Sequence, residues 1–150
     1  MSTNNDAIVL SQLLSKVCLF DNMRREEVLC LLKLMNKLTF QAGHYVFREN
    51  DMGAALYILA AGTVEVRKHA GQNKSLVLAT LSPGATFGEI GLVRDHKRTA
   101  SVYAREACMV LTMEARSLLD MPEISSKLYM NLSRLLADRL VNANEMLLAR

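Results

Sequence analysis

The residues best equipped for chemistry lie in one stretch: Phe87-Gly88-Glu89-Ile90-Gly91-Leu92, then Val93-Arg94-Asp95-His96-Lys97, then Arg98-Thr99-Ala100-Ser101-Val102. It follows a Ser82-Pro83-Gly84 turn signal and leads into a segment expected to be a strand. Gly88 allows close backbone approach, and Glu89–Val93 is long enough for one helical turn. The amides that open such a turn have no partner within it and favour an anion. Arg98 returns a guanidinium towards that turn, and the small residues after it leave room for a ligand. An arginine facing a helix start is an arrangement that holds a phosphate. Glu89 at the same start would compete with a phosphate unless its carboxylate accepts hydrogen bonds from something else, such as a sugar hydroxyl. Phosphate and sugar hydroxyl together describe a nucleotide-like ligand. The competing reading makes Arg94–Arg98 a solvated hairpin tip, as charge runs commonly are, and the residues alone leave both readings open.

These residues need elements to position them. All seven glycines fall between Gly43 and Gly91, so the sharp turns concentrate in the middle of the chain. The first five, at 43, 53, 62, 71 and 84, are spaced 10, 9, 9 and 13 apart, the rhythm of short strands in a sandwich or barrel. Strands are expected at Tyr45–Phe47, Leu56–Leu59, Val64–Val66, Leu76–Leu81, Val102–Ala104 and Cys108–Met113. Val64, Val66 and Lys68 alternate with Glu65 and Arg67, the pattern of a strand with one wet face.

The glycine-free ends read as helices. Val28, Leu31, Leu32, Met35 and Leu38 share one helical face opposite Arg25, Lys33 and Lys37, with Asn22 as the expected N-cap. A shorter stripe, Leu10, Leu13, Leu14 and Val17, precedes it. Pro122 and Glu123 suit the first turn of a last helix expected to run to Arg150. Tyr129, Leu132, Leu136, Leu140, Ala143 and Leu147 form one stripe of that helix, and Leu128, Leu135, Val141 and Leu148 part of another. Two stripes suggest two partners, the β unit or a bound base for one and a second copy of the helix or an effector for the other; the alternative is that one domain absorbs both. The expected layout is one domain over 1–150: N-terminal helices over about 5–39, a β unit carrying the Phe87–Val102 stretch over about 40–114, and C-terminal helices over about 115–150.

Composition excludes several classes. Hydrophobic residues make up 51% of the 150, enough to bury a core and to exclude disorder as the main state. The net charge of +3 is far from that of a nucleic-acid arm, so direct DNA binding by this chain is not expected. No uncharged stretch reaches the roughly 18 residues of a spanning helix, and no basic segment precedes an apolar run at the start, so neither membrane insertion nor a signal peptide is expected. Cys18, Cys30 and Cys108 sit among apolar neighbours and read as buried thiols in a reducing cytoplasm. His44, His69 and His96 lack metal-ligand spacing, and no G-x-S-x-G or Cys–His arrangement is present, so neither a metal site nor an enzyme is expected. The nine methionines read as core gap-fillers.

Phe87–Leu92 and Arg98–Val102 resemble the phosphate-binding cassette of the cyclic nucleotide-binding domain family, F-G-E-[LI]-[AG]-L, a variable loop, then R-[TSA]-A-[ST]-V. The family includes the bacterial catabolite activator protein, the regulatory subunit of cAMP-dependent protein kinase and cyclic nucleotide-gated channels. A second family signature, F-R-E-G-D-x-G-[DE]-x-x-Y-I-[IL]-x-x-G-x-V-x-V, is similar to Phe47–Val66. The resemblance covers nearly the whole chain and implies an α+β fold, a β jelly-roll barrel with N-terminal helices and a long C-terminal helix. It implies a sensing module, not an enzyme, that needs no cofactor and binds a cyclic mononucleotide.

Carried over by residue, the resemblance implies that Arg98 pairs with the cyclic phosphate, helped by the amides near Ile90 and Ala100. Glu89 would accept the ribose 2′-hydroxyl, with Gly88 behind it and Phe87 opening the cassette, and Thr99 would lie near the phosphate and base. Arg139, in Ala137-Asp138-Arg139-Leu140, resembles the residue that channel-type members carry on a helix folding over the base as a lid. Three positions depart from the pattern: Asn50 stands for a glycine, Ala54 for an acid and Lys97 for a proline. Asparagine tolerates the positive φ the first requires. Arg98-Thr99-Ala100-Ser101-Val102 resembles channel domains that prefer cAMP, so cAMP is expected over cGMP. Output is expected through the last helix, by a homodimer or an effector contact. The alternative is an interaction module of the same fold that has lost its ligand or takes a cyclic dinucleotide.

Overall fold

The run Ala55-Leu56-Tyr57-Ile58-Leu59-Ala60-Ala61 is apolar at both alternating sets of positions, which suits a strand covered on both faces. In the computed structural model, which describes residues 15–93 and 96–149, this run is strand β4 (Ala55–Ala61). The other strands are β1 (Asn36–Phe40), β2 (Tyr45–Phe47), β3 (Met52–Gly53), β5 (Val64–His69), β6 (Ser75–Leu81), β7 (Thr86–Phe87), β8 (His96–Lys97), β9 (Ser101–Ala104) and β10 (Cys108–Glu114). They form two four-stranded sheets, ordered β1-β10-β4-β7 and β2-β9-β5-β6, and a small ribbon of β3 with β8. Every pairing is antiparallel. The expected α+β jelly-roll architecture is the one observed, and each expected strand lies within an observed one.

Period-two alternation divides the core into two layers. Leu59, Val64, Phe87, Val102, Ala104, Cys108 and Val110 fill the space between the sheets. From the other face of the first sheet, Leu56, Ile58, Ala60 and Met113 meet a helical layer with Leu19, Leu31, Leu118, Leu128 and Leu132. That layer comprises a 3₁₀ turn (Cys18–Phe20), helix α1 (Arg25–Leu34), a 3₁₀ turn (Ala115–Leu118) and helix α3 (Pro122–Leu148), with Pro122 in its first turn as expected. A single-turn helix, α2 (Ile90–Val93), sits beside the sheets.

Several helix expectations are corrected. Helix α1 ends at Leu34, so Met35 and Leu38 are not on its face. Leu38 lies in β1, opposite Val110 of β10, because pairing with that strand overrides the helical periodicity. Asn22 does not cap α1: it occupies a turn at φ +62°, and the N-cap is Arg24. The Arg24 backbone N–H donates to Glu27 Oε1 at 2.9 Å, closing the helix start from within. Of the cysteines only Cys108 is buried; Cys18 and Cys30 are exposed, Cys30 because it lies off the Val28–Leu31 face of α1. Leu10, Leu13 and Leu14 lie outside the described residues, whereas Val17 joins the core.

Polar groups fasten the first half of α3. Buried Asn131 donates through Nδ2 to the carbonyls of Leu19 at 2.8 Å and Asp21 at 2.7 Å. Lys127 Nζ donates to Glu27 Oε1 at 2.7 Å, joining α3 to α1. That bond, together with the Arg24 amide, holds the Glu27 carboxyl down to about 2. Leu128 and Leu132 are buried and Leu135 and Leu136 pack at the margin, but Leu140, Val141, Leu147 and Leu148 are exposed. The two stripes therefore part: the lower residues enter the core, and the upper ones face outward.

Candidate functional site

Arg98 is placed by backbone pairing on both sides. Its amide donates to Asp51 O at 2.7 Å, and its carbonyl accepts the Asn50 amide at 2.8 Å. Asn50 sits at φ +73°, so the asparagine does make the turn where the family pattern has glycine. The Arg98 side chain is 7% exposed. Nη1 donates to Gly88 O and Nη2 to Ala55 O, each at 3.0 Å, and the guanidinium lies 4.3 Å from the centre of the Phe47 ring. Burial lowers its proton affinity below that of an ordinary arginine. Among the described residues no carboxylate lies within ion-pair distance of it, and position 54, acidic in the family pattern, is alanine.

The guanidinium occupies a slot made by small residues. A Cβ at Gly53 would lie 2.6 Å from Arg98 Nε, and one at Gly91 would lie 2.9 Å from Nη1. Gly88, at φ +71°, offers the carbonyl that receives Nη1. Behind the slot, Tyr57 and Phe87 stack at 5.2 Å and 7°, in register across β4 and β7.

Glu89 is buried at the start of α2. Its Oε1 accepts a hydrogen bond from Arg139 Nη1, and Arg139 Nη2 donates to Thr86 O at 2.7 Å. An arginine 50 residues away thus reaches the cassette from α3. The carboxylate keeps its second oxygen, and Arg98 keeps N–H groups beyond the two in use. Thr99 is exposed, and its carbonyl accepts Lys68 Nζ at 2.9 Å.

These residues converge. Phe87, Gly88, Glu89 and Ile90, then Arg98, Thr99 and Ala100, and finally Arg139, all line one cavity of about 390 Å³. That is large enough for a small organic ligand. Its far wall, Val66, Leu78, Ala79 and Leu81 from the β5–β6 hairpin, was not foreseen from the sequence. One signal for it existed: Leu76, Val77 and Leu78 are consecutive, apolar and each more than half exposed, more than an edge strand with one covered face requires. The site therefore joins a buried cation, a carboxylate acceptor and an apolar wall. Among the described residues no three His, Cys, Asp or Glu side chains form a metal-holding group.

A family model for the cyclic nucleotide-binding domain matches residues 37–124, which include both signatures and the cavity floor. The chain belongs to that family. A cyclic AMP receptor protein of Thermus thermophilus is 34% identical over 127 residues, 84% of this chain and 58% of that protein. A CRP-like cAMP-activated global transcriptional regulator of Mycobacterium tuberculosis is 28% identical over 139 residues, covering 90% of this chain and 60% of the regulator. The crystal structure of the Thermus thermophilus catabolite activator protein superposes with a TM-score of 0.80 at 32% identity, covering 87% of this chain and 61% of that one. The chain thus spans about 60% of the length of these family members. Among the described residues no helix is long and apolar enough to cross a membrane.

Proposed function

We propose that this chain is a sensing module that binds a cyclic mononucleotide, cAMP in preference to cGMP, and signals through α3. The observation that carries this is the convergence of Phe87, Gly88, Glu89, Ile90, Arg98, Thr99, Ala100 and Arg139 on one cavity. The cyclic phosphate takes the free N–H groups of Arg98 and the amides near Ile90 and Ala100, where a buried guanidinium, without a carboxylate partner among the described residues, awaits an anion. The ribose 2′-hydroxyl donates to the Glu89 oxygen that Arg139 leaves open, so ribose and lid are held by one carboxylate. The base lies along the Val66, Leu78 and Leu81 wall, with Thr99 near it. Arg139, already hydrogen-bonded to Glu89 and Thr86, acts as the lid residue. A ligand that favours the docked helix shifts α3 towards it. Output then passes from the exposed upper half of α3 to a second copy or an effector, in the cytoplasm, with no direct DNA contact from this chain.

Titration calorimetry with cAMP, cGMP and a cyclic dinucleotide tests the reading. cAMP is expected to bind at micromolar affinity or tighter, and Arg98→Ala to weaken it by roughly 30-fold or more, since truncating one member of a desolvated charge pair costs about 2–5 kcal/mol. Unchanged affinity in that variant, or preference for the dinucleotide, overturns it.

A further inference from the structure

The start of β9 separates two cavities. Ala100 lines the cavity described above, while Ser101 lines a second, of about 430 Å³, on the outer face of the β2-β9-β5-β6 sheet. The second is polar and built differently. The Arg48 guanidinium lies 4.1 Å from the centre of the Tyr45 ring, and that of Arg67 lies 3.6 Å from the centre of the Tyr103 ring. The rings themselves meet edge to face at 5.2 Å, so two arginines are laid on one aromatic pair.

The donors here are not all used. Arg67 meets Glu65 through Nη2 at 3.5 Å, but its Nε is buried and has no hydrogen-bond partner among the described residues. Buried donors are rarely left so, and this one is sealed from the cleft as the side chain stands, while the rest of the Arg67 side chain lines it. Ser101 Oγ accepts the Glu49 amide at 2.8 Å, which leaves its own proton for another acceptor. Arg48 has its ring contact and, among the described residues, no carboxylate within ion-pair distance. Lys68 Nζ lies 3.6 Å from Glu49 Oε1. Arg48, Arg67 and Lys68 thus face Glu49 and Glu65, with Asp51 bonded to the Arg48 amide, and Arg48 is the cation of the three whose charged group has no carboxylate partner among the described residues.

We propose that this cleft is a second anion site, distinct from the first cavity, for a phosphate group. The Arg48 and Arg67 guanidinium groups and the Ser101 hydroxyl line the cleft as separate donors, which suits a phosphate monoester with three terminal oxygens better than a carboxylate with two. The tyrosine rings are already covered by guanidinium groups, so recognition is of the phosphate and not of a stacked base. The site stands on its own residues and does not depend on what the first cavity binds.

The test titrates inorganic phosphate into the full chain at constant ionic strength, following the arginine Nε–H and backbone signals by NMR, with acetate and chloride as comparison anions. Phosphate is expected to shift the Arg67 Nε–H signal and the amides around Ser101 saturably, below roughly 10 mM. Arg67→Gln should weaken this at least tenfold. Arg48→Gln, which alters an exposed side chain and spares the fold, should do the same at the Ser101 amide. Shifts confined to Arg98 and the α2 amides, equal shifts with acetate or chloride, or unchanged affinity in Arg48→Gln would each overturn the proposal.

Discussion

Replacing Gly53 with alanine tests the cassette without touching any proposed ligand contact. Gly53 is not in the left-handed region, so alanine meets no backbone strain there. Its Cβ would lie 2.6 Å from Arg98 Nε and Nη2 and 2.8 Å from Cζ, distances at which something must move. Ordinarily the far end of an arginine gives way at little cost. Here the guanidinium is 7% exposed, bonded to two carbonyls and laid against Phe47, so yielding means losing at least the bond from Nη2 to Ala55 O. A hydrogen bond to a charged group contributes about 1.5–3 kcal/mol, and about 1.4 kcal/mol is tenfold in affinity. Gly53→Ala should therefore weaken cAMP binding by roughly 10- to 100-fold and lower stability by a similar free energy. Calorimetric titration and urea denaturation of the full chain read the two effects. Gly71→Ala separates them: Gly71, at φ +78°, faces open space at the β5–β6 turn, so alanine there should cost stability and leave affinity alone. Wild-type affinity in Gly53→Ala would refute the idea that the glycine slot aims Arg98 at the phosphate.

The remaining predictions concern the ribose, the lid and acid stability. The 2′-deoxy analogue of cAMP should bind clearly more weakly than cAMP to the wild type, because the Glu89 acceptor is left unpaired, and Glu89→Ala should close that gap; equal binding to the wild type would assign Glu89 another role. Hydrogen exchange across residues 132–148 should slow with cAMP, whereas protection confined to the cassette would mean that α3 is not a lid. Glu27, held at about 2 in the folded chain against 4.5 ordinarily, binds fewer protons folded than unfolded within that interval. Its contribution is complete above pH 4.5 and is lost as pH falls towards about 2, so Glu27→Gln should be less stable than wild type at neutral pH and show a flatter decline through this window in urea denaturation.

The cassette was legible because each of its residues does a local job. Gly88 reaches positive φ, and Glu89–Val93 can make only one turn before the charged run Arg94-Asp95-His96-Lys97 of the sequence. The strands were legible because alternation and glycine spacing are properties of neighbouring residues. What stayed hidden depends on distant partners. Leu38 fits a helical stripe as well as a strand, and only β10 decides between them. Asn22 has the chemistry of a cap, but Glu27 performs the capping from inside the helix. Asn131 reads as one more polar residue of a surface helix until its two carbonyl partners, more than a hundred positions earlier, come into view. Arg139 was marked by resemblance alone. Its reach to Glu89 follows from how α3 crosses the helical layer, which no local pattern encodes.

The uneven fastening of α3 makes that helix a lever. Asn131 and Lys127 rivet its lower part to the 3₁₀ turn and to α1, Leu128 and Leu132 sink into the core, and beyond Leu136 the described polar tether to the sheets is Arg139. The fulcrum therefore lies near Leu132, and at about 1.5 Å per residue the arm beyond it extends roughly 24 Å. A tilt of about 10° at the fulcrum carries the tip about 4 Å, close to the width of a methylene packed against its neighbour, while the guanidinium of Arg139, less than half-way along, travels under half as far. If α3 carries the output proposed above, a small adjustment at Glu89 arrives at Leu147 and Leu148 magnified, on an exposed apolar surface.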